Sequence, residues 1–230
     1  IRQSVMDPET GGFTMAYFTK FFSKSYYFDT LLNSFKVSIT ATVFSIAIGT
    51  PLAYLFTIFK IRGKGLLNIL IVVASMSAPF IGAYSWIVLL GRGGVITSFF
   101  KDLGITIPDI YGFGGIVLVM TLQLFPLVFL YAKGALKNID NSLIEAAENL
   151  GCSGIACFFK VVVPLIMPTL LAAALLVFMR SFADFGTPML IGEGYRTFPV
   201  VLYTEFINEV GGSDGFAAAI AVIAIIITTL

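Results

Sequence analysis

The chain offers few groups that could do covalent chemistry. It contains no histidine, which removes the commonest general base and metal ligand. Cys152 and Cys157 have neither zinc-site spacing nor partner ligands, so they are expected to be reduced and structural. No G-x4-G-K-[ST] run is present, so the chain has no phosphate loop with which to hydrolyse ATP. An enzyme would need a nucleophile–base or metal constellation, and none is visible. Three polar features remain. Glu145-Ala146-Ala147 leads to Gly151 and Pro164 between two apolar runs. Arg180 and Asp184 stand four residues apart. They read either as a helix-surface pair worth about 0.2–0.5 kcal/mol or as the lining of a path's outer mouth. Gln123 sits in mid-run, where it either bonds a neighbouring helix or lines the path.

The elements that must position these residues are membrane helices. Apolar residues make up 58% of the 230 and charged ones 12%, against about 25% charged in soluble domains. The mean hydropathy is +0.96. The net charge of +1 gives no sign of a nucleic-acid partner. A core of about 30 Å needs about 20 apolar residues as helix. Four runs satisfy this, at 31–59, 66–90, 113–132 and 161–182, and a fifth begins near Phe216 and still runs at Leu230. Residues 1–30 lack a secretory pattern. With a start at Ile1 and the fifth run cut short, both ends are expected to continue in a longer polypeptide. Ala41, Ser45 and Gly49 form one stripe of small residues, and Ala74, Ala78 and Gly82 another; such stripes let helix backbones approach closely in lipid. Pro51, Pro79 and Pro126 lie within the runs and are expected to kink them.

Basic residues orient the runs. The first link holds Lys60, Arg62 and Lys64, and the third holds Lys133, Lys137 and Lys160. The fourth holds Arg196 against Asp184, Glu193, Glu205, Glu209 and Asp214. The first and third links are therefore expected inside, and the second and fourth outside. Residues 197–210 form an amphipathic stretch with Phe198, Val201, Leu202, Phe206 and Ile207 on one face. It is expected to lie at the outer surface, ended by Gly211-Gly212, with Asp214 capping the next helix.

The polar stretch itself reads as a short helix. Ser142 and Glu145 have capping-box spacing, and Gly151 falls where a C′ glycine would sit. Leu143, Ala146, Ala147 and Leu150 share a face. Read from these residues alone, this is a capped amphipathic helix on the headgroups. The full spacing adds more: Glu145-Ala146-Ala147, three residues, Gly151, nine residues, then Val161-x-Val163-Pro164. It resembles the EAA loop of ABC importer permeases, E-A-A-x3-G-x9-I-x-L-P, with valine for Ile and Leu. Asp140-x-Ser142-Leu143 ahead of it, Leu150-Gly151-x-Ser153 within it, and Thr30-Leu31-x-Asn33-Ser34 early in the chain resemble the family too.

The resemblance covers nearly the whole chain. It implies an all-α, polytopic transmembrane helical bundle of the type I ABC importer permease (MetI-like) fold. Residues 1–230 are then one permease domain, short of its first span and the end of its last, with a cytoplasmic coupling loop at about 138–160. Glu145, Ala146, Ala147, Gly151 and Pro164 are implied as the ATPase-coupling residues. The implied partners are ABC ATPase subunits, which bind ATP and magnesium, a second permease half, fused or separate, an external or periplasmic substrate-binding protein, and the bilayer of a bacterial inner membrane. The chain itself is implied to bind no cofactor.

Arg180 to Gly192 is most similar to ferric-iron permeases, in particular the first half of fused two-half members. Phosphonate, thiamine, sulfate and polyamine permeases are close alternatives. A secondary transporter is the rival class. It would need a coupling-ion site, usually with mid-span carboxylates, and no Asp or Glu lies in mid-run here. A channel would need a filter-like ring or loop, and none is evident.

Overall fold

A computed structural model describes residues 4–5, 12–59, 62–76, 78–149, 151–152, 154–207 and 214–229. Lys60, Leu150, Ser153, Glu209, Gly211-Gly212 and the side chain of Asp214, all used in the expectations above, lie outside the described residues. The described chain is helical, with an isolated bridge residue at Phe13. In order come α1 (Ala16–Ser23), α2 (Ser25–Ile58), α3 (Lys64–Ser75), α4 (Pro79–Leu90), α5 (Val95–Asp102), α6 (Phe113–Lys137), α7 (Asn141–Asn149) and α8 (Gly154–Cys157). A π-helix (Phe158–Val162) follows, then α9 (Val163–Ala183), α10 (Gly186–Ile191), α11 (Phe198–Ile207) and α12 (Asp214–Thr229).

Four stretches are long and apolar enough to cross a membrane: Ser25–Ile58, Phe80–Asp102, Phe113–Lys137 and Gly154–Ala183. Three coincide with the expected runs. The expectation for 66–90 is corrected. That run is two helices, α3 and α4, and the crossing-length stretch begins at Phe80. Pro79 is the physical reason. It lacks an N–H, and its ring disfavours α geometry at the residue before it, so it starts α4 and does not kink a longer helix. The stripe of Ala74, Ala78 and Gly82 is divided in the same way. Pro51 and Pro126 lie inside α2 and α6, as expected.

The chain forms two compact units. Unit 1 comprises 1–37, 79–116 and 182–230, and unit 2 comprises 38–78 and 117–181. Unit 1 has an aromatic core. The Phe21 ring stacks on Tyr27 at 5.9 Å and meets Phe198 edge-on at 5.8 Å, while Tyr27 meets Phe216 at 4.9 Å. Polar groups join distant segments there: Ser34 Oγ accepts the Phe198 N–H at 2.7 Å, and Tyr27 Oη donates to Glu205 at 3.1 Å. Unit 2 has a mixed aliphatic and aromatic core, with Phe56, Phe129, Val162, Ile166 and Val177 buried in it. Its stripe of small residues behaves as expected: Ala41 and Ser45 are buried, and α2 approaches α6 closely at Gly49. A Cβ on Gly49 would stand 2.8 Å from Val128 Cβ and 2.9 Å from the Phe125 carbonyl oxygen.

Candidate functional site

The polar stretch folds as α7 with a cap at each end. At its start Asp140 Oδ1 accepts the Ser142 N–H at 2.9 Å. The expected capping box is therefore corrected. Asp140 is the N-cap, Ser142 is already helical, and the Glu145 carboxylate forms no bond to the helix start among the described residues. A carboxylate is a strong acceptor for a helix's free N–H groups. That bond in turn holds the Asp140 carboxyl below the usual carboxylate range. At the other end Gly151 adopts φ +84°, and the Cys152 N–H bonds the Ala147 carbonyl at 3.0 Å. This is the six-to-one bond of a Schellman ending, and its left-handed residue favours glycine.

Glu145 and Ala146 are exposed, and Leu143 is half exposed; Ile144 and Ala147 are partly buried. The expected apolar face is thus turned only in part onto the chain, and Glu145-Ala146 stands open. After Gly151 the chain enters the membrane stretch through α8 and the π-helix, where the Val163 N–H bonds the Phe158 carbonyl. Pro164, exposed, follows at once. In a regular α-helix its ring would clash with the Lys160 carbonyl four residues back. The wider π turn sits at that point, a geometry frequent at functional sites. Sequence reading missed it, although a proline so early in an apolar helix was a usable signal.

Arg180 and Asp184 do not pair. Arg180 is exposed, and Asp184 lies past the end of α9 and caps α10. Its Oδ1 accepts the Gly186 N–H at 2.9 Å and the Thr187 N–H at 3.3 Å, and its Oδ2 accepts the Thr187 hydroxyl at 2.6 Å. Asp184 is therefore not on the α9 surface with Arg180 but is engaged at the start of α10, which corrects the surface-pair reading. Burial pushes its pKa up, against the pull of the bonds from Thr187 and Gly186. Gln123 Nε2 is buried without a hydrogen-bond partner among the described residues, so it is not interhelical glue there.

Two more features belong to unit 1. The Arg92 guanidinium donates to Asp109 at 2.9 Å and Glu193 at 2.6 Å, and lies 4.8 Å from the Tyr111 ring centroid. No spacing announces this cluster, because its members are scattered along the chain. An apolar cavity of about 700 Å³ is lined by Phe185, Leu202, Tyr203, Phe206 and Ala217. Phe206 and Ile207 are exposed, whereas Phe198, Val200 and Val201 are buried. The face expected for α11 is therefore corrected at its C-terminal end. Glu205, expected off that face, is held by Tyr27.

This architecture, a set of helices with four stretches long and apolar enough to cross a membrane, has the fold of type I importer permeases. A chain of a bacterial alginate ABC transporter, solved with an alginate pentasaccharide-bound periplasmic protein, superposes with a TM-score of 0.80 at 14% identity, covering 94% of this chain and 78% of that one. The model of the family described as binding-protein-dependent transport system inner membrane component matches residues 11–230, and the chain belongs to that family. The molybdenum transport system permease ModB of Escherichia coli (strain K12) is 33% identical over 85% of this chain and 86% of its own length. The ferric transport system permease FbpB of Actinobacillus pleuropneumoniae is 30% identical over 76% of this chain. The chain spans 25% of that ferric permease and 29% of a ferric relative from Haemophilus influenzae.

Proposed function

We propose that the chain is a membrane-spanning half of an ATP-driven importer in a bacterial inner membrane. The carrying observation is α7: a short helix capped at both ends, with Glu145 and Ala146 exposed on it. Two small side chains at Ala146 and Ala147 let a partner surface approach closely. In this reading Glu145, Ala146, Ala147, Gly151 and Pro164 form the foot on which an ATPase subunit, holding ATP and magnesium, pushes. The basic links face the cytosol. A second permease half, fused or separate, completes the path, and residues 1–230 are one permease domain. A binding protein delivers the substrate from outside, in line with the periplasmic protein of the alginate neighbour. Gln123 and Arg180 are the pathway candidates. Asp184 serves α10 first, and lines the path only from that position.

For the substrate, ferric iron is supported by the likeness of Arg180–Gly192 and by the ferric relatives. Molybdate is a second reading, favoured by the 33% identity to a molybdenum permease over nearly its whole length. The assembled complex, reconstituted in vesicles with its binding protein, is expected to hydrolyse ATP in response to loaded binding protein and to take up labelled iron. Uptake of molybdate in place of iron would select the second reading. Uptake driven by an ion gradient without any ATPase subunit would reject the importer.

A further inference from the structure

Unit 2 gathers ammonium groups where α3 meets α6. Lys133 Nζ of α6 donates to Asn68 Oδ1 of α3 and lies 5.4 Å from the Phe129 ring centroid. Both contacts are with neutral groups. Lys64 is one helical turn before Asn68, and Lys137 one turn after Lys133, so each shares a face with the meeting point. Lys64, Lys133 and Lys137 form no ion pair among the described residues, unlike Arg92 in unit 1. Asp140, the nearest carboxylate along the chain, is engaged at the α7 cap. Three repelling cations are thus held together without a described carboxylate to offset them.

The surface beside them is apolar. Helix α3 buries none of its residues, and Leu66, Ile69, Leu70 and Val73 are each more than half exposed. In a membrane protein such a surface meets hydrocarbon, and Lys64 begins that helix. A soluble oxyanion would use the charges but not the apolar flank. We propose that Lys64, Lys133 and Lys137, with Asn68, bind the phosphate headgroup of an anionic phospholipid of the cytoplasmic leaflet, whose acyl chains lie along α3. Basic pockets between membrane helices on that side take such headgroups, and each lysine near an anionic surface is worth about a fivefold change in affinity.

The leaflet rests on the inward orientation proposed above, but the binding itself does not, so the test reads binding without transport. The intact permease with its partner subunits, in detergent, is titrated with dioleoyl phosphatidylglycerol or dioleoyl phosphatidylcholine and followed by native mass spectrometry. Tight binding of one phosphatidylglycerol, preferred over phosphatidylcholine, is expected. Lys64→Gln/Lys137→Gln should weaken it by about 25-fold, while leaving Lys133 to hold Asn68. Lys24→Gln/Lys101→Gln, which removes the same charge from unit 1, should leave it unchanged. Equal affinity in the wild type and the Lys64/Lys137 variant would overturn the proposal, as would an equal loss in the control. Displacement by millimolar inorganic phosphate would assign the lysines to a soluble oxyanion and overturn the lipid. Lost association of a partner subunit in the Lys64/Lys137 variant, with lipid binding intact, would assign them to a protein contact and overturn it too.

Discussion

Asp140 in unit 2 and Asp184 in unit 1 perform the same local task. Each accepts the backbone N–H two residues on and starts a short helix, α7 or α10. Their titrations nonetheless move in opposite directions. Asp140 is open to solvent, and its bond from Ser142 dominates, so its carboxyl sits below the usual range. Asp184 makes more bonds but is largely withdrawn from water, and burial dominates. The hydrogen bond follows from sequence-local geometry, whereas the cost of the charge follows from what packs around it.

Removing the buried cap has the largest expected effect. Asp184→Ala deletes three bonds at once. A loss of about 2 kcal/mol is expected, the upper end for a cap, measured as the denaturation midpoint in detergent. Asp184→Asn keeps an acceptor and should recover most of it. If Asp184→Ala is as stable as the wild type, the cap carries no stability.

Gly151→Val tests the other end of α7. No described residue stands within 4 Å of a Cβ built there, so the expected penalty is that of the left-handed backbone, about 1–2 kcal/mol. The protein should insert normally and lose coupled transport. Full transport with normal ATPase association would remove Gly151 from the coupling site.

The titrations give the third test. The Asp184 pKa is raised in the folded state. The proton-linked stability is therefore full below the ordinary carboxylate value of 3.8 and is lost as pH rises through the raised folded value. Midpoints of the wild type are expected to fall over that window relative to Asp184→Asn. Asp140 has the opposite sign. Its contribution is present above 3.8 and is lost as pH falls through the depressed folded value. Limited proteolysis of α7 should therefore increase only at the acid end, and Asp140→Ala should abolish that dependence. Parallel pH profiles for the two aspartates would refute the distinction.

The smallest effect is expected at Arg92. Its two ion pairs are exposed, so Arg92→Gln should lower the midpoint slightly at low ionic strength and not at all in high salt. A salt-independent loss would mean that the Tyr111 contact, not charge, holds those segments.

The amino-acid sequence by itself determined the membrane class, three of the crossing stretches, the family and the left-handed Gly151. All of these depend on hydropathy over about 20 residues or on spacings within one loop. It also held the residues of both caps, but reading Ser142 as the N-cap overlooked Asp140, two residues earlier and the stronger acceptor. Only the tertiary structure decided the rest. It placed Arg92 between Asp109 and Glu193, residues too far apart in sequence for any local pattern to link them. It left Gln123 Nε2 buried without a partner among the described residues and brought Lys133 to Asn68. It buried Asp184 at the start of α10. Hydropathy and spacing are properties of neighbours along the chain, but burial and charge pairing belong to segments that only folding brings together.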